Sequence, residues 1–235
     1  VQAELEIHPA HQLPNPAGYL KQQKRLQRLQ RDRTERQEKL DHLMHRHWDE
    51  FSTLVEILQQ FDCLQGSTPT EQGEIAAALR GDNELWLGLA LASGELDDLA
   101  PHHFAAACSG LVIEISRPDV WINYQVSPEV ETALEGLRSL RRQVFQVQRR
   151  HQVLLPVWLE YEPVGLVEQW ALDTDWAELC DNTSLDEGDI VRILRRTVDV
   201  LSQLPHVPHL SDAMRNTARQ AIYLMDRFPV NEAIG

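Results

Sequence analysis

Cysteine is scarce in this sequence. Among 235 residues there are three cysteines, Cys63, Cys108 and Cys180, which are far apart and odd in number. A disulfide framework needs paired cysteines, and the common zinc sites need cysteines or histidines at short, regular spacings. The sequence therefore favours free, buried thiols in a reducing compartment.

Long hydrophobic runs and a secretion signal are also missing. No segment approaches the ~20 consecutive apolar residues that a membrane-spanning helix needs. The first residues, VQAELEIHPAH, contain neither a basic region nor an apolar stretch of the kind found in signal peptides. We therefore expect no membrane partner and a cytoplasmic location. The chain begins with valine, which we interpret as the mark of a fragment or a processed piece.

The sequence lacks the motifs of nucleotide hydrolysis. It contains neither a GxxxxGK[ST] loop to cradle phosphates nor a DExH stretch to hold Mg²⁺. We predict no catalytic residues, no ATP hydrolysis and no cofactor in this chain alone. We also predict no metal site, because His102 and His103 are adjacent and do not share a helix face as an i, i+4 pair would. We interpret these two histidines as structural.

Positive charge is in short supply. The chain has 22 Lys and Arg against 36 Asp and Glu, a formal charge of −14, which argues against a generic nucleic-acid-binding protein. The charge is uneven, however, because residues 17–47 carry nine basic and four acidic side chains. Arginine outnumbers lysine by 19 to 3, and guanidinium suits planar contacts with phosphates and bases. Local basic surfaces on an acidic whole are therefore expected.

Helical patterns dominate what is present. Residues 17–61 predict one long helix, either continuous or broken once, because neither Pro nor Gly occurs between Tyr19 and Phe61. Its first half is almost wholly polar and its second half is amphipathic, as in a stalk.

Asn83 and Ser211 are candidate N-caps of two shorter helices, and residues 155–165, with two prolines, predict a loop with a short extended piece. We predict an all-α fold, a helical bundle with a projecting, stalk-like N-terminal helix. Residues 1–40 are assigned to an extended leading segment and the end of the stalk, and residues 41–235 to the bundle.

The stretch from Ser184 to Leu204, SLDEGDIVRILRRTVDVLSQL, has two distinct faces at helical spacing. Ser184 and Glu187 predict a capping box at its start, and Pro205 predicts its end. The apolar face contains Ile190, Leu194, Val198 and Leu201. The polar face contains Arg192, Arg195, Arg196, Asp199 and Gln203. A charged stripe of this kind is most often a solvated surface, but it also suits a polyanion.

This stretch, with LVEQWALDTDWAELCDNT before it, resembles the C-terminal helical (DSHCT) domain of DExH-box RNA helicases of the superkiller and HelY type. The family pattern has a Trp-containing helix, then a Thr-x-x-x-Glu-Gly turn, then an arginine-rich helix. The matching positions are Trp170, Thr183, Glu187, Gly188, Val191, Arg192, Arg195 and Arg196. The resemblance covers roughly residues 50–230, and segments such as TSLDEGDIVRILRRT and HVPHLS resemble a cyanobacterial or plastid-type branch.

The resemblance implies a function in guiding RNA. In such helicases this domain closes the single-strand channel against two RecA-like motor domains, which lie upstream and bind ATP and Mg²⁺. A ratchet helix of the domain faces the RNA. Its RNA-facing positions correspond here to Arg196 and Asp199, with Arg192 and Arg195 beside them. The family commonly has Glu where this chain has Asp199.

Two function classes are favoured by the sequence, and an unrecognised helical enzyme ranks far behind both. The first is the RNA-guiding domain of an ATP-dependent DExH-box RNA helicase, with single-stranded RNA, the motor domains, and RNA-decay or ribosome-related proteins as partners. The alternative is a non-catalytic helical scaffold that binds a protein partner. The photosynthetic resemblance adds the plastid stroma as an alternative location.

Overall fold

The computed structural model describes residues 16–115 and 119–231, so most of the predicted leading segment lies outside the described residues. The chain divides into two compact units, residues 1–54 and 55–235. The domain boundary that the sequence suggested near residue 40 stays a prediction.

One helix occupies the whole described part of the first unit. The predicted long helix is present as α1, Pro16–Gln60, without the single break that the sequence left open, and its last residues belong to the second unit. Side-chain pairs one turn apart support it, such as Gln37 Nε2 donating to Asp41 at 2.9 Å and Arg46 paired with Glu50 at 3.1 Å. Most of the side chains described along this helix are exposed, as expected for a sequence with so few apolar residues in its first half.

The second unit is a bundle of shorter helices with one minimal hairpin. Strand β1, Leu64–Gln65, pairs antiparallel with β2, Thr68–Pro69, with Leu64 opposite Pro69. The helices that follow are α2 Glu71–Ala78, α3 Glu84–Ala92, α4 Pro101–Val112, α5 Pro128–Arg150, α6 Glu162–Ala171, α7 Trp176–Asp181, α8 Glu187–Gln203 and α9 Asp212–Met225. A 3₁₀ turn, Leu204–His206, separates the last two. The all-α class and the long N-terminal helix are confirmed.

Helix α4 is the centre of the core. It packs against α5, α6, α8 and α9, and Ala105, Ala106 and Ala107 are completely buried. These small side chains let neighbouring helices approach closely. Gly110 is needed for the same reason, because a Cβ there would lie 2.7 Å from the carbonyl oxygen of Glu160. The amide of Glu160 donates to the Gly110 carbonyl at 2.9 Å, so the segment before α6 lies directly on α4.

Side-chain caps fix where several helices begin. Asn83 accepts from the amide of Trp86 at 3.1 Å, and Ser211 accepts from Met214 at 3.1 Å, as their sequence positions predict. The predicted capping box of α8 was wrong. Asp186 is its N-cap and accepts from the amide of Asp189 at 2.8 Å. The Ser184 hydroxyl instead accepts from the amide of Trp121 at 2.9 Å, a contact with a distant segment that competes with local capping.

The cysteines are free thiols in largely apolar surroundings. Cys63 and Cys108 are buried, and Cys180 is half-buried. Burial raises the pKa of Cys63 to about 11 and that of Cys108 to about 12. Burial, with help from Glu187 and Asp181, also raises the pKa of Cys180. Separately, no helix within residues 16–115 and 119–231 has both the length and the hydropathy to span a bilayer.

Candidate nucleic-acid interface

Helix α8 presents its polar stripe beside two concavities of the second unit. Its apolar face is anchored in the core, where Ile190, Leu194 and Leu201 are completely buried. Half-buried Val198 lies at the edge of that face. Because the helix is fixed on one side by packing, the backbone positions of its polar stripe are fixed relative to neighbouring loops.

The loop between α2 and α3 is fastened to the carboxyl half of α8. Gln203 Oε1 accepts from the amide of Arg80 at 2.7 Å, and its Nε2 donates to the Arg80 carbonyl at 3.1 Å. Arg196 forms an ion pair with Asp82 of the same loop. Two polar residues of the stripe therefore hold one loop, which becomes a wall of the neighbouring concavity.

A tryptophan completes this wall. Trp158 lies in the segment between α5 and α6, and its carbonyl accepts from Trp86 Nε1 at 2.8 Å. Its own indole N–H donates to Asp82 Oδ2 at 3.4 Å. Asp82 is thus shared between a guanidinium and an indole. The buried Trp86, 1% exposed, acts as the support that sets the position of Trp158.

Two clefts meet at α8. The first, which we name the Trp158 cleft, has a volume of about 460 Å³ and is lined by residues that include Arg80, Asp82, Trp158 and Gln203. The second, the Phe228 cleft, has a volume of about 880 Å³ and is lined by residues that include Trp176, Gly188, Phe228 and Pro229. Arg196 and Asp199 line both clefts. They are one helical turn apart and form a ridge between the two concavities.

The structure brings the four predicted site residues to one surface, with different partners. All four line the Phe228 cleft. Arg192 is mostly exposed and pairs with Asp189 at 3.0 Å. Arg195 is half-buried, and its Nε and Nη2 donate to the carbonyls of Val230 and Pro229 at 3.0 and 3.2 Å. Arg195 therefore helps to build the wall of the cleft.

The Arg196–Asp82 pair is weak enough to exchange. Both side chains are about half exposed, 44% for Arg196 and 45% for Asp82. Exposed ion pairs stabilise a fold by only about 0.2–1 kcal/mol, because water screens the attraction and two long side chains lose freedom. An incoming phosphate offers the guanidinium a bidentate partner of higher charge. The geometry therefore allows Arg196 to leave Asp82 for an anionic ligand.

Sequence reasoning missed several residues of this surface. Asp82 and Trp158 are far from α8 in the chain, and no local pattern connects them to Arg196. The sequence predicts a loop with a short extended piece over 155–165, yet α6 begins at Glu162 with Pro163 in its first turn. The sequence predicts a structural role for the adjacent His102 and His103. In the fold, their ring nitrogens and a carboxylate oxygen of Glu168 lie within 4.8 Å of one another.

Comparison with known proteins agrees with the resemblance in the sequence. The family model described as the DSHCT (NUC185) domain matches residues 66–233. A chloroplastic DExH-box ATP-dependent RNA helicase of Arabidopsis thaliana is 34% identical over 80% of this chain. The probable helicase HelY of Mycobacterium leprae is 27% identical over 73% of the chain, and the ATP-dependent RNA helicase mtr4 of Schizosaccharomyces pombe is 24% identical over 66%.

The match covers a small share of these relatives. The chain spans 17% of the Arabidopsis helicase, 20% of the mycobacterial one and 14% of the yeast one. The family match, by contrast, covers well over half of the chain and includes both clefts from Arg80 to Pro229. This chain belongs to the DSHCT (NUC185) domain family found in DExH-box RNA helicases.

Proposed function

We propose that this chain is the RNA-guiding domain of an ATP-dependent DExH-box RNA helicase, and that α8 faces the threaded single strand. The observation that carries the proposal is the ridge of Arg196 and Asp199 between two clefts, with Trp158 beside it. The Arabidopsis and yeast relatives are RNA helicases by name, which supports RNA as the ligand.

The ridge has the chemistry that single-stranded RNA requires. Arg196 can fork a phosphate or stack on a base, and the indole of Trp158 offers a sequence-tolerant stacking surface. The carboxylate of Asp199 can accept a hydrogen bond from a ribose 2′-hydroxyl, the group that distinguishes RNA from DNA. Arg192 adds positive charge at the rim of the Phe228 cleft, where it lies with Arg195.

Rigidity explains how such a ridge guides a strand. The buried face of α8 and the loop held by Gln203 keep the ridge fixed while a strand moves past. In this proposal the domain closes the RNA channel against RecA-like domains that bind ATP and Mg²⁺ in the parent protein. The domain itself supplies contacts and no chemical step. A cytoplasmic or plastid-stromal location, and RNA-decay or ribosome-related partners, belong to the same proposal.

Single-stranded RNA binding by the full chain tests this assignment. We expect weak binding of a fluorescent 20-nucleotide RNA, with affinity that falls as the salt concentration rises. Arg196→Ala should weaken binding and reduce the slope of log affinity against log salt by about 0.7, the value for one lost phosphate contact on a single strand.

Arg219→Ala is the matched control. Arg219 is an exposed arginine of α9 that donates to Asn216 at 2.8 Å and lines neither cleft. Equal affinities for the two variants would contradict the assignment of Arg196. In an intact helicase, Arg196→Ala should unwind RNA more slowly than Arg219→Ala.

A second candidate function, a scaffold for a protein partner, rests on helix α1. Apolar side chains recur there at helical spacing and are about half exposed or more: Leu40, Leu43, Met44, Trp48 and Phe51. An apolar stripe on an otherwise polar helix is typical of a surface for another protein. Trp48→Ala should then abolish partner binding and leave RNA affinity unchanged, whereas Arg196→Ala should do the reverse.

A further inference from the structure

Two histidines and a glutamate, residue types that can bind metal ions, lie together away from both clefts. His102 and His103 occupy the first turn of α4, and Glu168 lies in α6. Their ligand atoms are all within 4.8 Å of one another. His103 Nε2 lies 3.5 Å from Glu168 Oε1. None of the three residues lines the Trp158 cleft or the Phe228 cleft.

Ser127, at the start of α5, lies next to the Glu168 carboxylate. The amide of Ser127 donates to Glu168 Oε2 at 3.4 Å. The hydroxyl of Ser127 is buried, makes no capping hydrogen bond and has no hydrogen-bond partner among the described residues. A buried hydroxyl without a partner costs free energy, and a ligand bound within its reach would remove that cost.

The His103–Glu168 ion pair uses only one of the two histidines. The ring of His102 lies 4.0 Å from that of His103, centroid to centroid, in a tilted geometry, so two imidazoles lie close to one carboxylate. Glu168 is only 6% exposed, so its charge needs compensation within the protein. A cation bound by two neutral imidazoles would supply that compensation.

We propose that His102, His103 and Glu168 bind a divalent transition-metal ion, with Zn²⁺ the best match to two imidazole nitrogens and one carboxylate oxygen. Two histidines and one glutamate form a ligand set that zinc accepts, with a fourth position open to water or to the Ser127 hydroxyl. The ion would join α4, α6 and the start of α5. Its role would be to stabilise the centre of the helical core.

Zinc titration of the complete 235-residue chain, first stripped with chelator, tests the site. Calorimetry should show one tight site, and the unfolding temperature should rise with Zn²⁺ because the ion binds the native state. Glu168→Gln keeps the side-chain volume and an oxygen acceptor for the Ser127 amide. This variant, and the double variant His102→Ala with His103→Ala, should weaken Zn²⁺ binding by at least about tenfold and remove the rise in unfolding temperature.

The control separates this site from surface histidines. His209 forms a different His–Glu pair, with Nε2 2.7 Å from Glu74, so His209→Ala should bind Zn²⁺ as the parent chain does. Circular dichroism of the metal-free variants shows whether each one folds. If the double variant does not fold, Glu168→Gln alone provides the test. The proposal is overturned if Zn²⁺ leaves the unfolding temperature unchanged, or if Glu168→Gln binds Zn²⁺ as tightly as His209→Ala.

Discussion

Replacing Asp82 with asparagine should tighten RNA binding, although Asp82 is a wall residue of the Trp158 cleft. In the free protein the Asp82 carboxylate holds the Arg196 guanidinium. A phosphate that binds Arg196 must first displace that carboxylate. Asparagine removes the charge but keeps an oxygen that accepts from Trp158 Nε1, so the wall is preserved.

The expected size of the effect follows from the exposure of the pair. Both side chains are about half exposed, so the pair is worth about 0.2–1 kcal/mol. Releasing Arg196 should therefore tighten RNA binding by about 1.4- to 5-fold, since 1.4 kcal/mol corresponds to a factor of ten. If the pair were buried, we would expect Asp82→Asn to change RNA affinity much more and to destabilise the fold.

A double-mutant cycle distinguishes release of Arg196 from a general reduction of negative charge. Fluorescence anisotropy with single-stranded RNA would be measured for the parent chain, Asp82→Asn, Arg196→Ala and the double variant. Release of Arg196 requires that Asp82→Asn lose most of its effect once Arg196 is gone. If Asp82→Asn tightens binding equally in both backgrounds, the ion pair does not compete with RNA and this reasoning fails.

Three further predictions concern other parts of the fold. Trp158→Ala should weaken single-stranded RNA binding by about 1–3 kcal/mol, the contribution of one stacked base, whereas Trp158→Phe should retain most of the affinity; equal losses would exclude stacking. Alkylation at pH 7.5 should label Cys180 slowly and leave Cys63 and Cys108 unlabelled until the chain unfolds, because burial raises the thiol pKa of Cys63 and of Cys108. Mass spectrometry of the labelled peptides shows the order in which the three cysteines react. Burial, and then the nearby Glu162, raise the pKa of Glu160 in the folded chain, so its contribution to stability is largest at low pH and falls as the pH rises through the folded pKa. Urea unfolding should therefore show Glu160→Gln to be more stable than the parent chain at pH 7, but not at a pH below the ordinary carboxyl pKa.

Part of the candidate site could be predicted from the sequence because its signals are local. The alternation of apolar and charged residues along α8 depends on residues three and four apart, and it placed Arg192, Arg196 and Asp199 on one exposed face. The same logic failed at the start of that helix. Ser184 has the right residue type and spacing for a cap, but its hydroxyl is engaged by Trp121, which no local pattern brings near.

The sequence by itself determined the helical class, the long helix Pro16–Gln60, the caps at Asn83 and Ser211 and the family to which the chain belongs. These features depend on neighbours within one or two turns or on residue identities along the chain, both of which can be read directly. Only the tertiary structure placed Asp82 and Trp158 beside Arg196, and Glu168 beside His102 and His103. Such contacts arise because several helices pack around α4 at distances and angles set by the whole core, and no short segment encodes that arrangement.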